Sequence, residues 1–332
     1  MKAFYNRRHF IRTTAAAGAG LGLAQGLSAF VSRDTSVAEG RRVGIIGLDT
    51  SHSQVFSEML NDPKAGPELG GYRVVAAYAQ GSKDIPSALK MKPDITEAVK
   101  KLGVEIVNSI DELLTKVDVV LLETNDGRPH LEQALPVFKA GKRVFIDKPI
   151  AASLADAKAI FKAATQYKVP VFTSSALRFD QNVQQVVAGK IGPVTGADVY
   201  TPAELEEHHM DLAWYGIHGV EMLFTVMGTG CKSVTRTHTD GVDLVVGVWN
   251  DGRVGTVRGI RKGAANIAGT AFGEKGIAPL GPFQTYKPLV EQIVRFFQTG
   301  TPPVSPAETL EIFAFIDAAD VSRRKNGASV NL

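Results

Sequence analysis

The alternation of apolar runs with helical patterns constrains the fold of this chain more than any other feature. Between residues 41 and 174, six short runs rich in β-branched residues are separated by segments whose apolar residues recur at helical spacing. The predicted strands are residues 42–47, 73–78, 104–107, 117–124, 143–147 and 169–173. Helices are expected near residues 54–61, 95–102, 110–114, 129–140 and 154–167. This pattern predicts an α/β fold with a doubly wound parallel sheet.

The second half of the chain has a different texture. Glycine-rich strand patterns at residues 194–200, 234–238, 243–250 and 255–261 predict a C-terminal α+β domain with a large, mostly antiparallel sheet. A helix is expected at residues 289–298, and Ser305, Pro306 and Glu308 supply the N-cap, N1 and N3 residues of another. The predicted domains are residues 40–177, residues 178–285, and C-terminal helices at 286–332 that close the structure.

The N-terminus has the pattern of a twin-arginine export signal. Arg7, Arg8 and Arg12 form a basic region, and an Ala/Gly/Leu-rich run follows at residues 14–30. That run is short and glycine-rich for a membrane span; a single amphipathic helix is the alternative. We therefore expect residues 1–35 to be a signal and linker. The protein is then exported to the periplasm or another extracytoplasmic space, with no membrane span in its mature form.

Composition limits the classes of partner. The single cysteine, Cys231, excludes an internal disulfide framework, so the fold depends on its apolar core. The formal net charge of +3 includes the basic residues of the signal, so the mature protein is near neutral. No basic stripe with interleaved aromatic residues is present, and nucleic acid is not expected as a partner.

A candidate reactive residue follows the predicted strand 143–147. Lys148 precedes Pro149, which cannot continue a strand, and Ser153 with Asp156 forms a near capping box before the next helix. Ligands bind outside the carboxyl ends of the strands in open parallel sheets, so Lys148 is expected to face a pocket. A solvated loop lysine is the alternative.

Several motifs, in order along the chain, resemble those of one enzyme family. They are the nucleotide-strand pattern 42–47, Ala140-Gly141-Lys142 before Asp147-Lys148-Pro149, Arg178-Phe179, Gly216-Ile217-His218 and the closing pattern 288–332. In this order they resemble the Gfo/Idh/MocA oxidoreductases, which include glucose-fructose oxidoreductase and inositol dehydrogenase. The resemblance implies a Rossmann-type nucleotide-binding domain, a nicotinamide cofactor, and a homo-oligomer paired through the open face of the second sheet.

The resemblance also implies catalytic residues. Lys148 matches the family lysine and His218 matches the histidine that converge on the sugar hydroxyl losing hydride. Family members often place an aspartate four residues before that histidine, where this chain has Trp214. Glu221 lies one helical turn after His218, where it is expected to orient the imidazole or bind a sugar hydroxyl.

The phosphate turn departs from the usual dinucleotide fingerprint. In the frame G-x-G-x-x-G, this chain carries Gly47, Asp49 and His52, so only the first glycine is kept. A carboxylate at Asp49 repels a pyrophosphate unless its side chain turns away. Thr50 and Ser51 still offer hydroxyls at the start of a helix, whose N-terminus favours an anion.

The end of the second strand favours NADP over NAD. No carboxylate for the ribose hydroxyls occurs before Asp84, whereas Ser82 and Lys83 suit a 2′-phosphate. Loss of nucleotide binding is the alternative. The resemblance also implies cofactor contacts at Thr124, Asn125, His130 and Asp147, although His130 is equally interpreted as a helix cap.

The predicted substrate contacts are Arg178, His209, Trp214, Tyr215 and Glu221. Arg178 is alternatively a surface salt-bridge residue, and the two aromatic residues are alternatively core. Residues 204–211 are acidic and include His208 and His209, but adjacent histidines point in different directions and no closed ligand spacing occurs. A substrate-facing loop is preferred to a metal site there, and no metal ligand is assigned.

Three functions remain open. The leading hypothesis is an NAD(P)-dependent oxidoreductase that transfers hydride between nicotinamide and a hydroxyl or keto group of a sugar, sugar acid or glycoside. The second is a non-redox lyase, hydratase or glycosidase on the same scaffold, in which Asp49, His52 and the His208-His209 segment bind a metal or substrate. The third is a catalytically silent binding protein, against which the retention of Lys148 and His218 argues.

Overall fold

A computed structural model describes residues 38–332; the predicted export signal lies outside the described residues. Six parallel strands form the first sheet, and five helices connect them. The strands are β1 (Arg42–Ile46), β2 (Arg73–Tyr78), β3 (Glu105–Val107), β4 (Val119–Leu122), β5 (Val144–Ile146) and β6 (Val171–Phe172). The helices are α1 (Ser51–Asn61), α2 (Pro86–Lys101), α3 (Ile110–Lys116), α4 (His130–Lys139) and α5 (Leu154–Tyr167). The predicted doubly wound sheet is confirmed.

Helix α2 is longer than the sequence pattern predicts. It begins at Pro86 rather than at residue 95 and continues through Pro93. A proline inside a helix usually ends or kinks it, which is why the prediction placed the helix after Pro93. Pro86 at the first helical position accounts for the earlier start, because a missing N–H costs nothing there.

The strand order of the first sheet places its ligand-binding edge. The order is β3-β2-β1-β4-β5-β6. Strands β2 and β3 lie on one side of β1 and strands β4 to β6 on the other, so the topological switch point lies between β1 and β4. Gly47, which follows β1, has φ +88°. A Cβ on this glycine would lie 2.5 Å from the backbone nitrogen of Thr124, so only glycine fits between the two strand ends.

The second sheet has seven strands in the order β12-β11-β7-β10-β9-β8-β13. The strands are β7 (Val194–Pro202), β8 (Cys231–His238), β9 (Val242–Trp249), β10 (Val254–Ile260), β11 (Ala268–Gly273), β12 (Gly276–Leu280) and β13 (Val330–Asn331). All of its pairings are antiparallel except that of β7 with β10. The predicted mostly antiparallel sheet is therefore confirmed.

The later helices pack against both sheets. The later helices are α6 (Gln181–Val187), α7 (Asp211–Trp214), α8 (Ile217–Met227), α9 (Lys287–Thr299) and α10 (Pro306–Arg324). Helix α8 packs against β7 and β10, and α10 packs against β8 and α5. Helix α9 returns to the first sheet, where Leu289 and Ile293 join a core with Val43 and Ile45. Among residues 38–332, no helix is both long enough and apolar enough to span a bilayer.

A buried carboxyl in the α6 region gives a testable pH dependence. Asp180 is 2% exposed, one of its oxygens has no hydrogen-bond partner within the described chain, and burial raises its pKa to about 6. Because the pKa of Asp180 is higher in the folded protein than in the unfolded chain, its favourable contribution to the free energy of unfolding is largest below pH about 4. That contribution is lost as the pH rises through about 6.

We therefore expect Asp180→Asn to stabilise the protein by about 2 kcal/mol at pH 7 relative to its effect at pH 4, because the amide carries no charge to bury. Denaturant unfolding at both pH values measures this difference. The matched control is Asp94→Asn, which changes an exposed carboxyl. If Asp180→Asn and Asp94→Asn changed the free energy of unfolding by the same amount at both pH values, the raised pKa of Asp180 would be contradicted.

Candidate active site

Lys148 lies at the carboxyl end of β5, as predicted, and is buried with 6% exposure. The helix after it is capped as the sequence indicates: the Asp156 N–H donates to Ser153 Oγ over 3.1 Å. The Lys148 ammonium nitrogen lies 5.7 Å from the centroid of the Tyr215 ring. The solvated loop lysine of the alternative interpretation does not match this buried position.

His218 lies in the first turn of α8, beside the same tyrosine. The Tyr215 ring meets the His218 imidazole edge to face, with 5.2 Å between centroids. Burial, with the charges of Lys148 and His52, lowers the pKa of His218 well below its ordinary value. The imidazole is therefore neutral at neutral pH, the state in which a histidine accepts a proton.

Ser175 orients the His218 ring. Its Oγ lies 2.7 Å from His218 Nδ1 and also accepts the N–H of Leu177. A hydroxyl both donates and accepts, so Ser175 accommodates Nδ1 with or without a proton. When Nδ1–H donates to Ser175, His218 Nε2 is free to take a proton. This serine has the orienting position for which Glu221 was considered.

Arg178 and Glu221 form a buried ionic pair. Arg178 Nε donates to Glu221 over 3.2 Å, and Arg178 Nη1 donates to Glu308 over 2.5 Å. Both Arg178 and Glu221 are less than a tenth exposed. The pair joins the segment after β6 to α8 and α10. The surface salt bridge considered for Arg178 is thus an interior one, and the assignment of these two residues to substrate stays a prediction.

The carboxylate of Asp49 closes the phosphate turn from within. It accepts the backbone N–H groups of Ser82 at 2.6 Å and Asn125 at 3.0 Å. Asp49 is 1% exposed, and burial raises its pKa. The side chain therefore joins the loops after β1, β2 and β4 instead of pointing along the turn.

His52 occupies the position of the third glycine and faces the end of β5. Its Nδ1 lies 2.7 Å from Asp147 Oδ2, and its Nε2 lies 3.0 Å from the hydroxyl of Tyr286. Glu123, the residue after β4, is fully buried next to this pair. Burial and the charge of Asp147 raise the pKa of Glu123 well above its ordinary value. Burial disfavours the Asp147 carboxylate as well, but His52 and Lys148 together stabilise the charged form, and the pKa of Asp147 is lowered.

A cleft opens beside the end of β2. It has a volume of about 520 Å³ and lies between that strand end and α4. Its lining includes Gln80, Gly81, Lys83 and Gln133. The Ser82 hydroxyl instead lies 3.3 Å from Asp126 and accepts the Ile85 N–H, so it serves the loop itself. Of the two residues expected to meet a 2′-phosphate, Lys83 lines the cleft.

Two further histidines hold loops together. His130 is fully buried, and its ring nitrogens lie 2.8 Å from the Thr124 carbonyl oxygen and 2.9 Å from that of Ile150. The Gly127 N–H donates to His209 Nε2 over 3.0 Å. His209 Nδ1 therefore carries a proton and donates to Glu206 over 2.6 Å. This arrangement ties the second domain to the loop after β4.

The segment 204–211 uses both of its histidines in hydrogen bonds. His208 Nδ1 lies 2.8 Å from the carboxylate of Glu206 that His209 also contacts. The Trp214 ring lies against His209, with 5.0 Å between ring centroids and the ring planes tilted by 49°. Within the described chain, the group of side chains that could hold a metal ion is a different one, His52, Glu123 and Asp147.

Three residues of the site were not identified from the sequence. Glu123 carried a usable signal, since a carboxylate directly after a buried parallel strand lies at the edge of the sheet where ligands bind. Ser175 follows β6 and carried a weaker signal. Tyr286, which meets His52 from the turn before α9, carried none, because the contact spans 234 residues of sequence.

Comparison with known proteins identifies the first domain. Residues 41–175 match an oxidoreductase family with an NAD-binding Rossmann fold, GFO_IDH_MocA. This domain belongs to the Gfo/Idh/MocA family. An uncharacterized oxidoreductase of Streptococcus pneumoniae is 26% identical over 181 residues, which cover 49% of this chain and 49% of that protein. The chain thus matches about half the length of this relative.

Solved structures share the fold over nearly their whole length. A probable dehydrogenase from Thermotoga maritima matches with a TM-score of 0.71 and 20% identity, covering 87% of this chain and 98% of that one. Scyllo-inositol dehydrogenase from Lactobacillus casei, with bound NAD(H) and scyllo-inositol, matches with a TM-score of 0.68 and 17% identity, covering 87% and 98%. At these identities the likeness establishes the fold.

The side chains of the first domain can be tested against a dinucleotide. The cleft beside Lys83 has room for the adenosine half. Helix α1 has no acidic residue in its first turn and no side-chain cap from Thr50, so its backbone N–H groups are free to meet a pyrophosphate. The side chains of Asp49 and His52 take up space in the phosphate turn, but their polar atoms bond to other protein groups. The residues present therefore fit the cofactor, although they leave less room for the pyrophosphate than glycines would.

Proposed function

We propose that the protein is an NAD(P)-dependent oxidoreductase acting on a hydroxyl or keto group of a sugar, sugar acid or glycoside. The observation that carries this proposal is the grouping of Lys148, Tyr215 and His218 at the carboxyl end of β5. The family of the first domain and the inositol ligand of the Lactobacillus neighbour support it. A bound nicotinamide would supply the hydride acceptor or donor.

His218 serves as the base in this proposal. Its neutral imidazole takes the proton of the substrate hydroxyl at Nε2, while Ser175 holds Nδ1. The Lys148 ammonium stabilises the oxygen as it gains negative charge, because a nearby cation favours the deprotonated form. The half-buried rings of Trp214 and Tyr215 offer apolar faces for a sugar ring.

The preference for NADP over NAD rests on Lys83. This lysine lines the cleft beside β2, where a ribose 2′-phosphate would meet an ammonium. The polar groups proposed to hold the remainder of the cofactor are the first turn of α1 and the loop Thr124-Asn125.

Hydride transfer itself is tested by incubating the natively folded protein with NADP⁺ or NAD⁺ and a panel of inositols, sugars, sugar acids and glycosides. We expect at least one compound to yield reduced nicotinamide, with a higher kcat/KM for NADP⁺. Lys83→Gln should lower kcat/KM for NADP⁺ by about tenfold and leave that for NAD⁺ unchanged. Absence of reduced nicotinamide with every compound and in both reaction directions would argue against the proposal.

Export and assembly complete the proposal. The twin-arginine pattern supports export to an extracytoplasmic space, and fractionation of cells producing the full chain tests it. The variant Arg7→Lys/Arg8→Lys should be retained in the cytoplasm.

The open face of the second sheet carries apolar residues at alternate positions, among them Val254 at 45% exposure and Ile277 at 69%. A homo-oligomer would bury this face, and sedimentation analysis of Val254→Asp and Ile277→Asp against the native chain tests that assembly.

A further inference from the structure

One cluster of buried polar side chains has no role in the proposed hydride transfer. It consists of His52, Glu123 and Asp147, and one ligand-type atom from each lies within 4.8 Å of the others. The three residues come from the first turns of α1 and from the ends of β4 and β5. The sheet thus gathers an imidazole and two carboxylates at one point of its carboxyl edge.

Two residues of this cluster carry buried oxygens without hydrogen-bond partners. Glu123 is 0% exposed, and neither of its carboxylate oxygens has a hydrogen-bond partner among residues 38–332. The second oxygen of Asp147 is likewise buried and without a partner in that part of the chain. Buried polar atoms are normally satisfied, and leaving a carboxylate unsatisfied is among the most costly exceptions. Three such atoms on two neighbouring residues indicate a missing ligand.

The charges of the surroundings favour a cation as that ligand. The charged groups acting on Glu123 are Asp147, Asp49 and Lys148. Three carboxyl groups, those of Glu123, Asp147 and Asp49, therefore lie near Lys148 and His52 in a region closed to solvent. A divalent ion among the oxygens would favour the ionised form of Glu123 and coordinate the unpartnered atoms.

The orientation of His52 suits metal binding. Tyr286 lies at Nε2, and a proton held on that nitrogen and donated to the tyrosine hydroxyl leaves the lone pair of Nδ1 directed at the cluster. Metal-bound histidines commonly donate their second ring N–H in this way. The 2.7 Å between His52 Nδ1 and Asp147 Oδ2 is a hydrogen-bond distance, so binding of an ion would displace the proton that these two atoms share.

We infer that His52, Glu123 and Asp147 form a binding site for one divalent transition-metal ion. One imidazole with two carboxylates suits Mn²⁺, Fe²⁺ or Zn²⁺ better than an all-oxygen site for Ca²⁺. Three protein ligands leave open positions on the ion, next to Lys148. This site is separate from the His208-His209 segment, whose histidines already bond to Glu206.

Metal binding is tested on the natively folded, full chain after removal of bound ions with a chelator. Titration with Mn²⁺, followed by the electron paramagnetic resonance of the free ion, and with Zn²⁺ by calorimetry gives stoichiometry and affinity. We expect one ion per chain for at least one of the two metals. Glu123→Gln and Asp147→Asn should each weaken binding at least about tenfold.

The control variant is Glu206→Gln, which removes the carboxylate that both His208 and His209 contact. It should bind the ion with unchanged affinity and stoichiometry. Crystals of the unmodified protein soaked in Mn²⁺ should show an anomalous scattering peak between His52 Nδ1 and the two carboxylates, which tests the site even if a variant fails to fold. Lack of both saturable binding and an anomalous peak would overturn the inference and leave Glu123 a neutral buried acid. Loss of binding in Glu206→Gln alone would overturn it as well.

Because no nucleotide is present in this test, its outcome is independent of the oxidoreductase proposal. If the protein binds the ion but not the nucleotide, the metal-site inference stands and the oxidoreductase proposal fails. If it binds the nucleotide but not the ion, the oxidoreductase proposal stands and the metal-site inference fails.

Discussion

Replacing Lys148 with alanine should lower kcat by about 10²- to 10⁴-fold, the range associated with a positioned proton-transfer or charge-stabilising group. The ammonium lies 5.7 Å from the centroid of the Tyr215 ring, which also contacts His218, and Lys148 is the one buried lysine of the described chain. Steady-state kinetics with the best substrate of the panel measures the loss. The melting temperature of the variant should stay within a few degrees of the native value, because the buried stem is simply shortened.

Lys158→Ala is the matched control, since this lysine lies on an exposed position of α5, close in sequence to Lys148. It should keep native kcat and KM. Full activity in Lys148→Ala would remove this residue from the chemistry. A loss of activity accompanied by unfolding would be resolved by Lys148→Met, which keeps most of the buried volume and removes the charge.

Replacing Arg236 with alanine should destabilise the protein by about 3–5 kcal/mol, the largest stability effect that we expect from a single residue. Arg236 is 1% exposed and donates to three carboxylates, Asp243 at 2.9 Å, Asp320 at 2.6 Å and Asp211 at 2.7 Å. Removal of the guanidinium leaves the buried Asp320 without a salt bridge, while Asp243 keeps Arg261 and Asp211 keeps Arg323. Denaturant unfolding at neutral pH gives the change in free energy.

Arg253→Ala provides the comparison, because Arg253 pairs with Asp251, whose side chain is 56% exposed. An exposed pair contributes at most about 1 kcal/mol, so this variant should remain close to the native stability. Arg236→Lys should recover only part of the loss, since an ammonium cannot bond to three carboxylates in the planar arrangement of a guanidinium. Equal stabilities for Arg236→Ala and Arg253→Ala would show that the network contributes nothing.

Local patterns made much of this fold predictable. The strands of the first sheet follow from continuous apolar runs, and the caps at Ser153 and Ser305 follow from residues three positions apart. The position of Lys148 followed from the strand before it and the proline after it. In each case the deciding residues are neighbours in the sequence, and the physical rule is a local one.

The elements that the sequence did not predict lack such a pattern. Helix α6 is only one or two turns long and largely polar, β11 is built from small residues, and β13 has two residues paired to β8. These elements form because the rest of the second sheet offers them a partner. Intrinsic preference is weak for such segments, and tertiary contacts decide.

The site shows the same division. The resemblance identified Lys148 and His218, but the residues that set their environment are distant in sequence: Ser175 lies 43 residues from His218, and His52 lies 95 residues from Asp147. Asp49 was expected to repel a pyrophosphate unless its side chain turned away. Its two backbone hydrogen bonds give the physical reason why a carboxylate is tolerated there, and the sequence contained no sign of them.

The most direct test of the central claim is whether the folded protein binds a nicotinamide dinucleotide. The natively folded protein is purified and denatured, the released material is assayed by mass spectrometry for NADP and NAD, and a stripped sample is titrated with both. We predict a saturable site at one nucleotide per chain, weakened by Lys83→Gln for NADP alone. Absence of nucleotide in the released material together with no binding of either nucleotide in the titration would contradict the account.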